Sequence, residues 1–334
     1  MLEPERPIMT EIKSGGGITY KPTTLNLEES ETIRGEPYKD IHSLKNMGFQ
    51  CSKTYDSYVA LKHAIKNNYK IALGFTSNAI TGGLRGIIKE LCRLNLVECI
   101  VTTGGGIEED AIQSVIPFYY AKKVHKDQEL YKLGVNRTEN IYCPNEGYMW
   151  LENTLKKLGE TEGFYNTNPV TLVNQLASSI SNPESYLYWC KKNLIPVIPI
   201  GLEDGAIGDH LGTIYYKKIF KGESPPVLNT ACLIPTFINT MNTNNIRKTC
   251  IISLGGGSSK HFLMNGCIPL GGCDMAIYYN NAVATDGSNA GAPPTEAISW
   301  GKLKEDSIHM KVSGDFYFTF YLVASQLIKD YSIG

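Results

Sequence analysis

The feature that most constrains this fold is a repeated unit in which an apolar strand ends at a small polar turn and a helix follows. The unit occurs first at Lys70–Phe75, which runs into Thr76-Ser77-Asn78, and again at 97–103, which runs into three consecutive glycines. A strand that is apolar nearly throughout is typical of a parallel sheet covered on both faces. Further strands are predicted at 195–200, 249–254, 274–279 and 309–313.

Helical segments separate these strands. Apolar residues at helical spacing predict a helix after the first strand, and other helices are predicted at 186–192, 225–243 and 315–330. Strands that alternate with helices indicate βαβ units. We therefore predict the α/β class, with a Rossmann-like parallel sheet flanked by helices in a single large domain at 31–334. Residues 1–30 lack a hydrophobic period and are predicted to form a mobile N-terminal arm, and 118–168 an insertion with short helices.

Composition excludes several classes of function. The net charge of −1, from 32 basic and 33 acidic side chains, gives no global attraction for nucleic acid or a membrane surface. No apolar run approaches the roughly 18 residues of a membrane span, and the N-terminus lacks a signal-peptide core, so we expect a soluble, cytoplasmic protein. The nine cysteines include no C-x-x-C pair and sit mostly in apolar segments. This pattern favours reduced core thiols and predicts no metal site.

The polar clusters of the chain follow the predicted strands. They are Ser77-Asn78, 103–109, 204–209, 255–261 and 286–302. Because ligands bind outside the carboxyl ends of parallel strands, we expect all five clusters at one edge of the sheet. Glycine turns before helices suit phosphate groups, but the complete G-x-G-x-x-G pattern is absent. From the residues alone, a dinucleotide site and purely structural turns both remain open.

The segment 286–302 combines Asp286, Glu296, Trp300 and Lys302 with a loop of small residues. An indole face attracts ammonium groups, and carboxylates bind the charged ends of an organic cation. A lysine amine forms imines with carbonyl or iminium carbons when its pKa is lowered. The segment therefore indicates a pocket for an organic cation with an amine nucleophile, and a surface loop with a solvated lysine is the alternative.

The chain resembles the deoxyhypusine synthase family from about residue 33 to the last helix, through seven motifs and their order and spacing. The motifs are TSN (76–78), VTTGGGIEED (101–110), NPES (182–185), DG-x-IGD (204–209), GGG-x-x-KH (255–261), DGS (286–288) and EAISWGK (296–302). Members of this family use NAD to oxidise spermidine and release 1,3-diaminopropane. They hold the aminobutyl group as an imine on the motif lysine and pass it to one lysine of eukaryotic translation initiation factor 5A.

The resemblance implies a role for each matching position. Lys302 matches the nucleophile and His261 the general base, since an imidazole titrates near neutral pH. The positions that match NAD contacts are Ser77, Asn78, Ala79, Ile80, Thr81, Thr103, Gly104, Gly105, Glu109, Asp204, Gly256, Asn281, Ala282 and Asp315. Those that match the polyamine site are Glu108, Asp209, Gly287, Ser288, Asn289, Glu296 and Trp300.

Four positions depart from the family pattern. Asn289 stands where many relatives have an aspartate that meets a spermidine ammonium, so the charge of that contact is lost and polyamine affinity is expected to be lower. Phe262 replaces a second histidine, Pro293 a basic residue and Gly104 an alanine. The nucleophile, the base and the two main carboxylates are all present, which favours an active enzyme.

The resemblance also implies a homotetramer of paired subunits with active sites at their interfaces, and an N-terminal arm that covers the entrance. Three alternatives stay open. A homospermidine synthase would give the aminobutyl group to putrescine, and its pocket would have nearly the same sequence. A non-catalytic paralogue would only pair with an active subunit. A generic dehydrogenase on a similar fold would leave the Trp-Gly-Lys loop unexplained.

Overall fold

The computed structural model describes residues 37–122, 125–160, 163, 166–242, 244 and 246–332. The predicted N-terminal arm lies outside these residues. The strands are β1 (Lys70–Phe75), β2 (Cys99–Thr103), β3 (Tyr119–Tyr120), β4 (Val135–Thr138), β5 (Ile141–Pro144), β6 (Asn166–Thr167), β7 (Val197–Ile200), β8 (Val227–Leu228), β9 (Thr249–Leu254), β10 (Cys273–Asn280) and β11 (Leu303–Ser313).

The helices flank these strands. They are α1 (Phe49–Lys66), α2 (Asn78–Thr81), α3 (Arg85–Arg93), α4 (Gly104–Gln113), α5 (Asp127–Lys132), α6 (Asn145–Gly159), α7 (Pro169–Ser178), α8 (Tyr186–Lys192), α9 (Ala206–Phe220), α10 (Leu233–Met241), α11 (Ser258–Cys267), α12 (Glu296–Ser299) and α13 (Phe316–Tyr331). Short 3-10 helices occur at Ile41–Leu44, Thr230–Cys232 and Ile268–Leu270.

The centre of the molecule is a six-stranded sheet with the order β11-β10-β9-β1-β2-β7, and every pair of neighbours is parallel. Alternate residues of each strand enter different apolar clusters. In β9, for example, Cys250 and Ile252 pack with α1, α3 and α13, whereas Ile251 packs with α10 and α11. Side chains alternate across a strand, so both faces of the sheet are buried. This arrangement confirms the predicted fold class.

Several predicted elements have the bounds that the sequence suggested, notably β1, β9 and α8. The helix expected after β1 is instead two helices, α2 and α3, separated at Gly82-Gly83. Gly83 has a φ of 99°, a left-handed value that favours glycine and interrupts the helix. Most of the cysteines are buried, which confirms that they belong to the core.

Other elements differ from the predictions. Strand β11 begins at Leu303, well before residue 309, because its first part pairs with β10 across a register shift and exposes a polar stretch. The helix predicted at 225–243 starts only at Leu233, after Pro225-Pro226 and a 3-10 turn. The 118–168 insertion contains a 15-residue helix, α6, and a three-stranded antiparallel sheet. Within the described residues, no helix has the length and apolar character needed to cross a membrane.

Candidate active site

The turns after β1 and β2 touch each other at the carboxyl edge of the sheet. The Ser77 backbone N–H donates to the Thr103 hydroxyl at 3.2 Å. A Cβ atom on Gly105 would overlap the Ser77 hydroxyl, so only a glycine allows this approach. The two turns together form a cradle that brings Ser77, Thr103 and the first residues of α4 into one place.

Glu109 lies in this cradle. Its carboxylate accepts hydrogen bonds from the Thr81 and Ser77 hydroxyls. Burial, together with the charge of Glu108, raises the pKa of Glu109 to about 7, although the two hydroxyl contacts act in the opposite direction. The cradle therefore contains a carboxyl group that titrates near neutral pH.

Glu108 is buried and points away from Glu109, towards the start of α9. It accepts from the backbone N–H of Ile207 at 3.0 Å. Burial raises its pKa, and the nearby charges of Asp209 and Asp204 add to this effect. Asp204 and Asp209 are exposed. Three carboxyl groups thus meet at the N-terminal end of α9, a concentration of negative charge that suits a cationic ligand.

The glycine turns also fit a dinucleotide. In the described structure, neither α4 nor α11 has a side-chain cap at its N-terminus. Their first-turn N–H groups can therefore face an anion, and the helix dipole favours negative charge there. A Cβ atom on Gly257 would meet only Thr76, at 3.9 Å. These features are the ones that a bound pyrophosphate needs.

Asp315 joins the same edge through helix α13. Its carboxylate caps the helix by accepting from the Tyr317 N–H at 2.9 Å. The Tyr317 hydroxyl donates in turn to the Asn78 carbonyl. The first turn of α13 is thereby tied to α2, so Asp315 lies beside the residues that were predicted to contact NAD.

A second group of predicted residues surrounds a separate small pocket of about 100 Å³. In it the Lys302 ammonium lies 5.1 Å from the centre of the Trp300 ring, within the range of a cation–π contact. The pocket is lined by Lys260, His261, Met264, Tyr278, Asn289, Ala292, Pro293, Glu296, Ala297, Trp300 and Lys302. An amine, an imidazole, a carboxylate and an indole are therefore brought together.

His261 is partly buried in this pocket. Burial lowers the pKa of its imidazole, and the positive charges of Lys260 and Lys302 lower it further. A hydrogen bond with the Ser288 backbone has the opposite, smaller effect. The imidazole is consequently neutral around pH 7 and free to accept a proton.

The second half of 286–302 does not stay at the carboxyl edge, where we expected the whole segment. The Cys273 N–H donates to the Lys302 carbonyl at 3.1 Å, and Leu303 pairs with Cys273, the first residue of β10. The expectation is wrong for the second half of this segment, because a crossover between parallel strands must return to the amino end of the sheet. Residues 281–302 form this crossover segment.

The predicted polyamine residues are thus divided between two places. Glu108 and Asp209 lie with the cradle, while Asn289, Glu296 and Trp300 line the pocket. Among the described residues, no hydrogen bond or ion pair connects Glu108 or Asp209 to the pocket. The two places meet at Gly256, where a Cβ atom would overlap the backbone of Ala290 in the crossover segment. Ser288 and Gly287 are exposed on the same segment, as is Asn281.

Two of the departures from the family pattern have structural explanations. Asn289 has a left-handed φ of 58°, a conformation that asparagine and aspartate adopt more readily than most residues. Phe262 packs edge-to-face on Phe237, with ring centres 6.1 Å apart, against the apolar cluster. An aromatic residue at 262 therefore contributes packing.

Sequence reasoning assigned no role to Lys260, Tyr278, Lys311 or Tyr317. Lys260 is only 3% exposed, and its place inside the GGG-x-x-KH motif was a signal in the sequence. Lys311 lies in the strand β11, whose pattern gave no sign that its side chain reaches the crossover segment. The assigned roles of the other residues stay predictions.

Comparisons with known proteins point to one family. The family model for deoxyhypusine synthase matches residues 41–327. The deoxyhypusine synthase of Nicotiana tabacum is 37% identical over 272 residues, which cover 77% of this chain and 70% of that protein. The deoxyhypusine synthase of Eremothecium gossypii is 33% identical over 356 aligned positions, which cover 92% of this chain and 90% of that protein.

The fold has a counterpart among solved structures. A crystal structure of a candidate deoxyhypusine synthase from Entamoeba histolytica superposes with a TM-score of 0.57 and 21% identity, covering 86% of this chain and 90% of that one. At this identity the likeness supports the fold alone. The family assignment comes from the family model and the sequence relatives, which span most of the chain. The chain belongs to the deoxyhypusine synthase family.

Proposed function

We propose that this chain transfers the 4-aminobutyl group of spermidine to a specific lysine of eukaryotic translation initiation factor 5A, with NAD as cofactor and Lys302 as nucleophile. Family membership supports this reaction. The observation that carries it is the pocket in which Lys302 lies over the Trp300 ring, together with His261 and Glu296. Hydride transfer alone, as in a generic dehydrogenase, would leave the Trp-Gly-Lys arrangement unexplained.

The cradle would hold the cofactor. The first turns of α4 and α11 would bind the pyrophosphate, and Glu109 and Asp315 would accept hydrogen bonds from ribose hydroxyls. When bound there, NAD would accept a hydride from the carbon beside the secondary amine of spermidine and return it to the final product.

The pocket residues would bind spermidine and manage its protons. Trp300 offers an aromatic face to an ammonium group, and Glu296 offers a carboxylate. His261 would remove the proton from the secondary nitrogen as the neighbouring carbon is oxidised, because its lowered pKa keeps the imidazole neutral. A C=N bond then joins this nitrogen to the butyl carbon.

Lys302 would attack that carbon through its neutral amine. The bond between the carbon and the original nitrogen breaks, and 1,3-diaminopropane leaves after the nitrogen takes up a proton. The butyl group is now held by a C=N bond to Lys302 Nζ. The acceptor lysine of the protein substrate attacks the same carbon and Lys302 leaves as a free amine, so the enzyme is regenerated once the new C=N bond is reduced.

We further propose a homotetramer, acting in the cytoplasm, with each active site formed by two subunits. Trp300 is 64% exposed in the single chain, although the reaction requires a dry site. Glu108 and Asp209 lie apart from the Lys302 pocket within one chain. An apolar groove of about 530 Å³ also runs beside α9, lined among others by Leu211 and Tyr215. A second subunit would cover Trp300 and supply the missing carboxylates.

Incubation with NAD and spermidine labelled in its aminobutyl half tests the reaction. Mass spectrometry would locate the label with translation factor 5A, with putrescine or with neither, after cyanoborohydride trapping. We expect label on the factor and a trapped adduct at Lys302 that Lys302→Ala abolishes. Label that moves only to putrescine would indicate a homospermidine synthase. No label with any acceptor would mean that this chain needs a paralogous subunit or is not an enzyme.

Mixed oligomers test the shared site. Lys302→Ala and Asp209→Asn should each lose activity alone, since one lacks the nucleophile and the other a substrate carboxylate. If the two groups come from different subunits, co-expression of both variants restores a fraction of the sites and hence activity. Activity that stays absent in verified mixed tetramers would place both groups in one chain.

A further inference from the structure

Two lysines from different elements hold one stretch of the crossover segment. Lys260, on α11, donates from Nζ to the carbonyls of Asn289 at 2.7 Å and Ala290 at 3.1 Å. Lys311, on β11, donates to the carbonyls of Ala282 at 2.5 Å and Gly291 at 3.0 Å. Four backbone carbonyls between residues 282 and 291, which we term the clamped stretch, are thus bound by two ammonium groups.

Within the described residues, no carboxylate oxygen lies within 4 Å of either ammonium group. Lys260 is only 3% exposed, and its amine lies 5.6 Å from the centre of the Tyr278 ring. Taking an ammonium group out of water is costly unless it is paired or hydrogen-bonded. The carbonyls of the clamped stretch supply those hydrogen bonds, so the position of the stretch and the burial of Lys260 depend on each other.

The clamped stretch borders the pocket of the proposed reaction. Asn289 lines the pocket, and the backbone of Ser288 contacts His261, the residue that follows Lys260. Gly291, two residues after Asn289, packs against the backbone of Val283, near the start of the stretch, so closely that a Cβ atom would overlap it. A displacement of this stretch would therefore move both the predicted polyamine contacts and the partner of the imidazole.

We propose that Lys260 and Lys311 are positioning residues, which hold the clamped stretch so that Ser288 and Asn289 face His261 and Lys302. Their role in the reaction rests on the proposed function. Their role in holding the stretch does not, because it follows from the four hydrogen bonds. The two roles can be measured separately.

Lys260 has a further effect that Lys311 lacks. The charged and titratable groups that face His261 are Lys260 itself, Lys302 and Glu296 across the pocket, and Tyr278 on β10. The positive charge of Lys260 is one cause of the lowered pKa of His261, whereas Lys311 is not. Loss of the Lys260 charge should raise the pKa of His261 and move the acidic limb of the pH–rate profile to higher pH.

Hydrogen–deuterium exchange on the full chain tests the clamp without any reaction. Lys260→Met and Lys311→Met should each speed amide exchange in peptides that cover 282–291 by about tenfold, because each loses two charge-assisted hydrogen bonds. Lys192→Met is the matched control, since Lys192 is exposed and lies over the Trp189 ring, 4.6 Å from its centre. Exchange at the wild-type rate in both clamp variants would overturn the proposal. If Lys260→Met fails to fold, Lys260→Arg is used in its place.

The pH dependence of adduct trapping at Lys302 tests the positioning role. Lys260→Met should lower the trapping rate and shift its acidic limb upward by roughly half to one pH unit. Lys260→Arg retains the charge but not the geometry, so the rate should fall with no shift, and Lys311→Met should behave likewise. If all three variants had the trapping rate and the acidic limb of the wild type, the positioning role would be refuted. A wild-type chain that forms no adduct would refute the proposed function, and the exchange experiment would still decide the clamp.

Discussion

The Lys302 ammonium lies 5.1 Å from the centre of the Trp300 ring, so the indole face is directed at a cation inside the pocket. Lys302 must lose its charge to act as a nucleophile. The same aromatic face then becomes available for an ammonium group of the substrate. Trp300 therefore has two successive ligands in the proposed reaction.

Replacement of Trp300 tests this role. Trp300→Leu should raise the spermidine KM by about five- to tenfold, because the cation–π contact is lost. The KM of Trp300→Phe should lie between those of Trp300→Leu and the wild type. Steady-state kinetics with varied spermidine measures both. Trp189→Leu, which removes the ring beside Lys192 on α8, serves as a control and should leave KM unchanged. Equal KM values for the leucine and phenylalanine variants would show that the π face contributes nothing.

Asn289→Asp should strengthen spermidine binding. Aspartate tolerates the left-handed φ of 58° at this position, so the backbone need not change. The new carboxylate adds a charge-assisted hydrogen bond to a substrate ammonium, and we expect KM to fall by about three- to tenfold with kcat little altered. The gain should shrink as salt is added, since exposed charges are screened. A KM that rises or stays constant at low salt would exclude a substrate contact for this side chain.

Glu109 should make stability depend on pH. Its folded-state pKa of about 7 lies above the ordinary value of 4.5, so the folded chain holds a proton that the unfolded chain releases between these pH values. The stabilising effect of that proton is complete below about pH 4.5 and is lost as pH rises through 7. Glu109→Gln cannot titrate, so its Tm relative to wild type should increase from pH 5 to pH 8. Melting curves of both proteins, with the exposed Glu305→Gln as control, check this; a Tm difference independent of pH would contradict it.

The sheet and its glycine turns were predictable because they depend on local patterns. β2 and β9 are largely apolar runs, and each is followed by a glycine turn whose residues suit close backbone approach. Gly105 and Gly256 show why: a side chain at either would overlap a neighbouring turn. The need for a glycine is therefore visible in the sequence at the position where the close approach occurs.

The location of Lys302 at the amino end of the sheet was not predictable in this way. It depends on how far the crossover segment travels before β11 begins, and the polar start of β11 concealed that point. The contacts of Lys260 and Lys311 likewise join residues about 29 or 20 positions apart along the chain. A local pattern carries no information about which carbonyl a lysine amine reaches.

Asp110 is a motif residue with a structural role. Asp110 ends the VTTGGGIEED motif and is fully buried. Its carboxylate accepts from Arg85 Nε at 2.7 Å, from the Ser185 hydroxyl at 2.5 Å and from the Leu187 N–H at 3.1 Å. It thereby joins α4 to the start of α8 and accounts for the NPES motif, which supplies Ser185.

Asp110→Asn keeps the shape but leaves Arg85 without a charged partner in a buried place. We expect the free energy of unfolding to fall by about 3–5 kcal/mol, the usual cost of breaking a buried ion pair. Asp127→Asn is the matched control, because Asp127 also pairs with an arginine, Arg137, but is exposed, where such pairs contribute little. Urea denaturation of the three proteins gives both differences. If the two substitutions lower the free energy of unfolding equally, burial does not decide the strength of the Asp110–Arg85 pair. The VTTGGGIEED and NPES motifs would then need a different explanation.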